Sequence, residues 1–160
     1  LNPFANKLVA QPVGEKTLIG KGETWRYFDE GIAPPKDGMF FWYQKGYSYN
    51  YWKEGAGRFG FGSRPVKTSI NRYKTDTNEP LITAYFSKTF EVTSASLVPG
   101  LTIDINADDG AVVYINGSRV LLHNMETGYN YYSYAKSEVS GSDENTYFSY
   151  EIDSKYLVKT

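Results

Sequence analysis

Asn116-Gly117 constrains the fold of this chain more tightly than any other pair of residues in it. A two-residue type I′ turn needs positive φ at both central positions, and Asn-Gly meets that need at the lowest steric cost. Val112-Val-Tyr-Ile115 precedes the pair as a β-branched and aromatic run, and Arg119-Val-Leu-Leu122 follows as the return strand. Asp108-Asp109-Gly110 adds a turn in front. The stretch therefore reads as turn, strand, tight turn, strand.

The rest of the chain follows the same two-residue period. Thr17-Leu-Ile-Gly20 and Glu23–Phe28 read as short strands, the second with Trp25 and Tyr27 on one face and Arg26 and Phe28 on the other. Ile82 to Val92 alternates, with Ile82, Ala84, Phe86, Phe90 and Val92 on one face. Lys88 breaks that face, which predicts a bulge or an alkyl stem reaching an edge. Leu101, Ile103 and Ile105 oppose Thr102, Asp104 and Asn106; Tyr129–Ala135 is a further candidate strand, and Phe148, Tyr150 and Ile152 define the last one. Asp29–Gly38 reads as a loop, Gly55–Gly62 as an irregular or bulged wrap, and Arg64–Pro80 as a polar surface excursion. No helical period of useful length intervenes. The pattern predicts an all-β chain, a β-sandwich of the jelly-roll kind, over residues 17–160, with residues 1–16 as a linker or N-terminal arm.

A length of 160 residues suits one domain. The net charge of −1 gives no electrostatic case for nucleic acid or an anionic membrane surface. No apolar run approaches the roughly eighteen residues that would insert into a membrane. The chain opens at Leu1 with no Met and no signal peptide, which suggests a mature segment or part of something longer. Cysteine is absent, which excludes a disulfide scaffold; that absence fits either redox compartment, although it suits an exported protein that must avoid random oxidation. An extracellular or surface-associated location, secreted or on a virion, is the expectation.

His123 is the single histidine, so a His-based triad and a multi-His metal site are excluded, and a lone His at a strand end is most simply structural. Three adjacent carboxylate pairs, Asp29-Glu30, Asp108-Asp109 and Asp143-Glu144, sit beside turn residues. Neighbouring strand residues point to opposite faces, so adjacency does not make a matched acid and base. No enzyme machinery is expected. A Ca²⁺ ion takes six to eight oxygens, and Asn106, Asp108 and Asp109 offer three from one turn; a purely structural Asp-Gly turn is the plainer reading.

Aromatic residues make up 17% of the chain, and the densest stretch, Phe40 to Trp52, admits two readings: a sugar-binding face, or rings of which Phe40, Phe41 and Trp52 simply close one end of the core. Sugar rings stack their C–H faces on Trp and Tyr while nearby amides and charges hold the hydroxyls. Trp42, Tyr47, Tyr49, Asn50 and Tyr51 are the candidates there, with Phe41 and Trp52 assigned to the core. In the second cluster, strand alternation would send Tyr132 and Tyr134 to one face.

In order, Gly22-Glu-Thr-Trp-Arg-Tyr27, Trp52-Lys-Glu-Gly55 with Phe59-Gly-Phe-Gly62, Tyr85-Phe-Ser-Lys-Thr-Phe90 and Asp108 to Gly117 form a set, continued by Asn124-Met125, Gly128 and Asp143-Glu-Asn-Thr146. Together they resemble galactose-binding-domain-like modules appended to bacterial secreted hydrolases and other multidomain surface proteins. The resemblance covers most of residues 17–158. It implies a jelly roll used either for carbohydrate binding or for packing beside other domains. The Asp-Asp-Gly turn is locally similar to PA14-type sandwiches, in which two adjacent Asp residues hold Ca²⁺ and a sugar. Ser87 stands where the family tends to carry Arg, and the family continues past a pair like Leu157-Val158 into a strand that completes a sheet. The expectation is a non-catalytic glycan-binding or adhesion module in a larger protein, with missing sequence or a neighbouring subunit filling the edge. The alternative is a structural module of a phage tail, capsid fibre or surface filament.

Overall fold

The computed structural model describes residues 14–62, 65–74, 76–93 and 98–157, so most of the expected N-terminal arm and residues 158–160 lie outside the described part. The strands of the described residues are, in chain order, β1 (Thr24–Phe28), β2 (Lys53–Ala56), β3 (Phe59–Gly60), β4 (Thr68–Ser69), β5 (Tyr85–Ser87), β6 (Leu101–Ile105), β7 (Ala111–Ile115), β8 (Ser118–His123) and β9 (Phe148–Ile152). Helix among these residues is confined to 3₁₀ turns at Gly141–Asn145 and Ser154–Tyr156. The class is all-β.

Asn116 and Gly117 take φ values of 49° and 87°, the left-handed pair that a type I′ turn demands, and they join β7 to β8 antiparallel. A register shift between Val113 and Tyr114 bulges the hairpin. β6 and β9 pair antiparallel so that Leu101, Ile103 and Ile105 stand opposite Ile152, Tyr150 and Phe148. Thr102, Asp104, Ser149 and Glu151 fill the other, exposed face. His123, closing β8, seats its ring 4.9 Å from that of Phe148 and places Nδ1 2.7 Å from the Tyr150 hydroxyl. That contact joins the two antiparallel pairs.

The second part of the core is aromatic. β1 is the centre of a three-stranded antiparallel sheet ordered β2-β1-β5. Phe28 and Tyr85 are register partners, and Trp52, just before β2, closes a buried trio with them. Tyr27 and Phe86 leave by the opposite face and meet Phe59 at ring separations of 5.4 and 4.8 Å. Large rings on both faces give a short sheet the contact area that its few residues would otherwise lack.

Asp29, at the end of β1, is 1% exposed. Its carboxylate accepts from Lys53 Nζ at 2.6 Å and from the Asn71 backbone N–H at 2.7 Å, while the Asn71 side-chain amide donates to the Asp29 carbonyl at 3.0 Å. Residues 65–74 are thereby pinned to the sheet, and β4 pairs in parallel with β3. The expected surface excursion is partly structural for this reason. Within it Lys74 is paired with Glu79 at 2.7 Å.

Three further expectations are corrected. Thr17–Gly20 is a bend, because the Gly20 N–H is taken by Glu23 Oε1 at 2.6 Å and Gly22 turns at φ 79°. Within Ile82–Val92 only Tyr85–Ser87 is strand; Lys88 sends its ammonium back to the Thr24 carbonyl at 2.9 Å and to Glu23 at 2.8 Å, and the ladder stops there. Tyr129–Ala135 is a turn, because Asn130 accepts from the Tyr132 N–H through its side chain (3.1 Å) and from the Ser133 N–H through its carbonyl (3.1 Å).

Candidate functional site

The aromatic stretch from Phe40 to Trp52 divides into rings that pack and rings that do not. Trp42, Tyr47 and Tyr49 are half-buried against Phe28, Trp52 and Tyr85. The Trp42 ring lies 6.2 Å from that of Trp52, 5.1 Å from Tyr85 and 5.5 Å from Tyr114. Tyr47 donates its hydroxyl to the Pro35 carbonyl at 3.0 Å, and Tyr49 donates to the Trp42 carbonyl at 2.9 Å. These three candidates thus spend their ring faces or hydroxyls on the protein itself. Tyr51 is 87% exposed and Asn50 beside it is exposed. Phe41, assigned to the core from sequence, is 40% exposed; it stacks on Tyr43 at 5.5 Å with Lys36 over its ring, so it closes the surface of the belt.

The second cluster is joined to the first. Tyr43 stacks on Tyr114 of β7 at 4.5 Å and 14°, and the Tyr114 hydroxyl is hydrogen-bonded to that of Tyr129. Burial pushes the Tyr85 hydroxyl up to about 12, and the charge of nearby Tyr131 adds to the effect. Burial also raises Tyr114 well above the ordinary phenol value, with the Tyr129 hydrogen bond adding and Arg119 opposing. Both phenols are neutral at physiological pH. From this underlay the Tyr129–Ala135 turn carries Tyr132 and Tyr134 outward, 62% and 74% exposed. Tyr132 leans edge-on against Tyr131 at 4.9 Å. The exposure of Tyr132 and Tyr134 therefore comes from a turn and not from strand alternation. Tyr114 and Tyr43, the links between the clusters, were not candidates from sequence. Only the tertiary meeting of β7 with the Phe40–Trp52 segment marks them.

The Asp turn is arranged differently from a set of convergent oxygen ligands. Asn106 donates through its side-chain amide to the Glu144 and Thr146 carbonyls at 3.0 and 2.8 Å, and its amide oxygen accepts from Arg58 at 3.4 Å. The same guanidinium donates to the Glu144 carbonyl at 3.1 Å and to Asn145 Oδ1 at 3.0 Å. A fixed cation already faces the oxygen that Asn106 would offer to Ca²⁺, so Asn106 does not fit a calcium ligand. Asp109 accepts from the Val139 N–H at 2.7 Å, while Asp108 is exposed. The peptide bond between the two aspartates is cis. Among the described residues no group of three or more His, Asp or Glu side chains is placed to hold a metal ion.

Comparison of the chain with protein-family models, with curated proteins and with solved structures finds no match.

Proposed function

We propose that this chain is a non-catalytic carbohydrate-binding or adhesion module, a jelly-roll β-sandwich within a larger extracellular or surface protein. The observation that carries the proposal is the exposure of Tyr51, Tyr132 and Tyr134, while Trp42, Tyr47 and Tyr49 are packed against the core. An exposed Tyr offers a rigid ring face at low conformational cost and a hydroxyl at its rim, the pairing that an amphipathic sugar ring needs. Asn50 beside Tyr51 supplies an amide group for hydroxyls.

A glycan array probed with the full chain tests the reading. Binding that falls at least tenfold in Tyr51→Ala or in Tyr132→Ala/Tyr134→Ala supports it; an array on which the folded chain binds nothing would overturn it. An EDTA arm reads whether calcium at Asp108 and Asp109 contributes.

A second reading, a structural module in a multi-subunit assembly such as a tail, fibre or filament, is favoured by one specific feature. Met39 is 80% exposed in a loop that also exposes Ile32 and Phe40, and such side chains suit protein contacts better than sugar hydroxyls. Concentration-dependent assembly in sedimentation, lost in Met39→Ser, is the result that this reading expects.

A further inference from the structure

A polar cleft of about 170 Å³ opens on the face of the three-stranded sheet, lined by Arg26, Glu54, Ser87, Lys88 and Thr89. Its floor follows from register. Arg26 on the central strand β1 is paired with Glu54 of β2 on one side and Ser87 of β5 on the other. Directly opposed residues hold their Cβ atoms about 5 Å apart, so three polar side chains stand side by side across the sheet. Phe28, Trp52 and Tyr85 occupy the same face one repeat further along, under the aromatic belt, and the Arg26 guanidinium lies 5.5 Å from the Tyr49 ring. The cleft is therefore the uncovered continuation of the face that the belt closes.

Its hydrogen-bonding groups are mostly unspent. Arg26 uses Nε on Glu54 Oε1, at a long 3.4 Å, and its two terminal nitrogens have no hydrogen-bond partner among the described residues. Glu54 keeps its second carboxylate oxygen, and the Ser87 and Thr89 hydroxyls likewise lack a side-chain partner among the described residues. Lys88 is different: its ammonium is held by the Thr24 carbonyl and Glu23, so it forms a wall.

We infer that this cleft is a binding subsite for one neutral monosaccharide unit, with Arg26 donating to, and Glu54 accepting from, adjacent ring hydroxyls. Charge decides between neutral and acidic ligands. Arg26 and Glu54 cancel, Lys88 is neutralised by Glu23, and an anion entering beside the free Glu54 oxygen meets repulsion. A polyol needs donors and acceptors side by side, and the cleft presents both. A sugar ring entering the cleft displaces water while its hydroxyls replace the hydrogen bonds that the water made. The inference shares the ligand class of the proposed function but uses a separate set of residues.

The test is a titration of the ¹⁵N-labelled full chain with glucose, galactose, N-acetylglucosamine and glucuronic acid, followed by amide chemical shifts. The expected result is movement of the amides of residues 24–26, 54 and 87–89 with at least one neutral sugar. Arg26→Met and Glu54→Gln should each weaken that response at least tenfold with the remaining spectrum unchanged. Shifts confined to the neighbourhoods of Tyr51, Tyr132 and Tyr134 overturn the subsite and leave the proposed function standing. Shifts confined to the cleft support the subsite and overturn the role of the exposed tyrosines. A cleft that answers only to glucuronic acid overturns the neutral assignment, and no shift with any of the four sugars overturns the subsite.

Discussion

Asp29 and Lys53 form a 2.6 Å ion pair in which the carboxylate is buried at the end of β1 and the ammonium, at the start of β2, reaches it from the half-exposed side. The asymmetry makes Asp29 the more consequential partner. Its second oxygen holds the Asn71 N–H, so removing the carboxylate releases two elements at once. Asp29→Ala is expected to lower unfolding free energy by about 2–3 kcal/mol, the range for lost hydrogen bonds to a charged group. Lys53→Arg, which keeps a cation beside the buried carboxylate, should cost less, about 1 kcal/mol or below. Urea denaturation of the two variants checks the order, and equal midpoints would refute the assignment.

Trp42 and Tyr51 lie nine residues apart in one aromatic stretch and should behave oppositely. Trp42→Ala removes a ring in contact with Trp52, Tyr85 and Tyr114 and is expected to cost about 3–5 kcal/mol. Tyr51→Ala should stay within about 0.5 kcal/mol of the parent while reducing glycan binding. Paired thermal melts and array binding separate the two effects.

Gly117 is a turn residue for backbone reasons alone. A Cβ built there meets nothing closer than Gln44 Cγ at 3.7 Å, an ordinary contact, but φ is 87°. Gly117→Ala should therefore cost about 1–2 kcal/mol through backbone strain without repacking. A stability loss with unchanged near-ultraviolet dichroism is the expected signature, and no loss would mean that the turn relaxes.

Burial lowers the His123 pKa below 6.5, and its Nε2 has no hydrogen-bond partner among the described residues. The native state thus favours neutral imidazole, and the unfolded chain binds the proton first as pH falls. The His123 contribution is present above pH 6.5 and lost as pH drops through the folded value. Tyr85 sets the opposite limit: its stabilising neutral form is complete below 10 and lost as pH rises toward about 12. Thermal melts from pH 4.5 to 8 should show the acid-side decline, and His123→Phe should flatten it. A variant as acid-sensitive as the parent would remove His123 as the cause.

Local chemistry made some of this fold legible in the sequence. Asn116-Gly117, the alternation of Leu101, Ile103 and Ile105, and the pattern Phe148, Tyr150, Ile152 each encode a strand or turn within a few residues, and each element stands where the pattern puts it. The strands that did not form failed because one polar side chain intervened. Asn130 captured backbone N–H groups that a strand would have paired, Glu23 captured that of Gly20, and Lys88 turned back to the edge of β1. The candidate site was less legible because composition alone does not divide packed from exposed tyrosines. Tyr47 and Tyr49 differ from Tyr51 only in what lies over them. Arg26, Glu54 and Ser87 carry no common motif, and only strand register brings them together.

The β7–β8 hairpin lies in sequence between β6 and β9, which pair with each other across it. Chain-closure entropy grows with the length of slack chain between partners, and a tight hairpin forms within microseconds, far faster than a distant pairing. Once β7 and β8 have zipped, much of that slack is gone, and β9 searches for β6 over a shorter effective path. The dipeptide Asn116-Gly117 thereby acts beyond its own turn, because closing it shortens the slack chain that the β6–β9 pairing has to span.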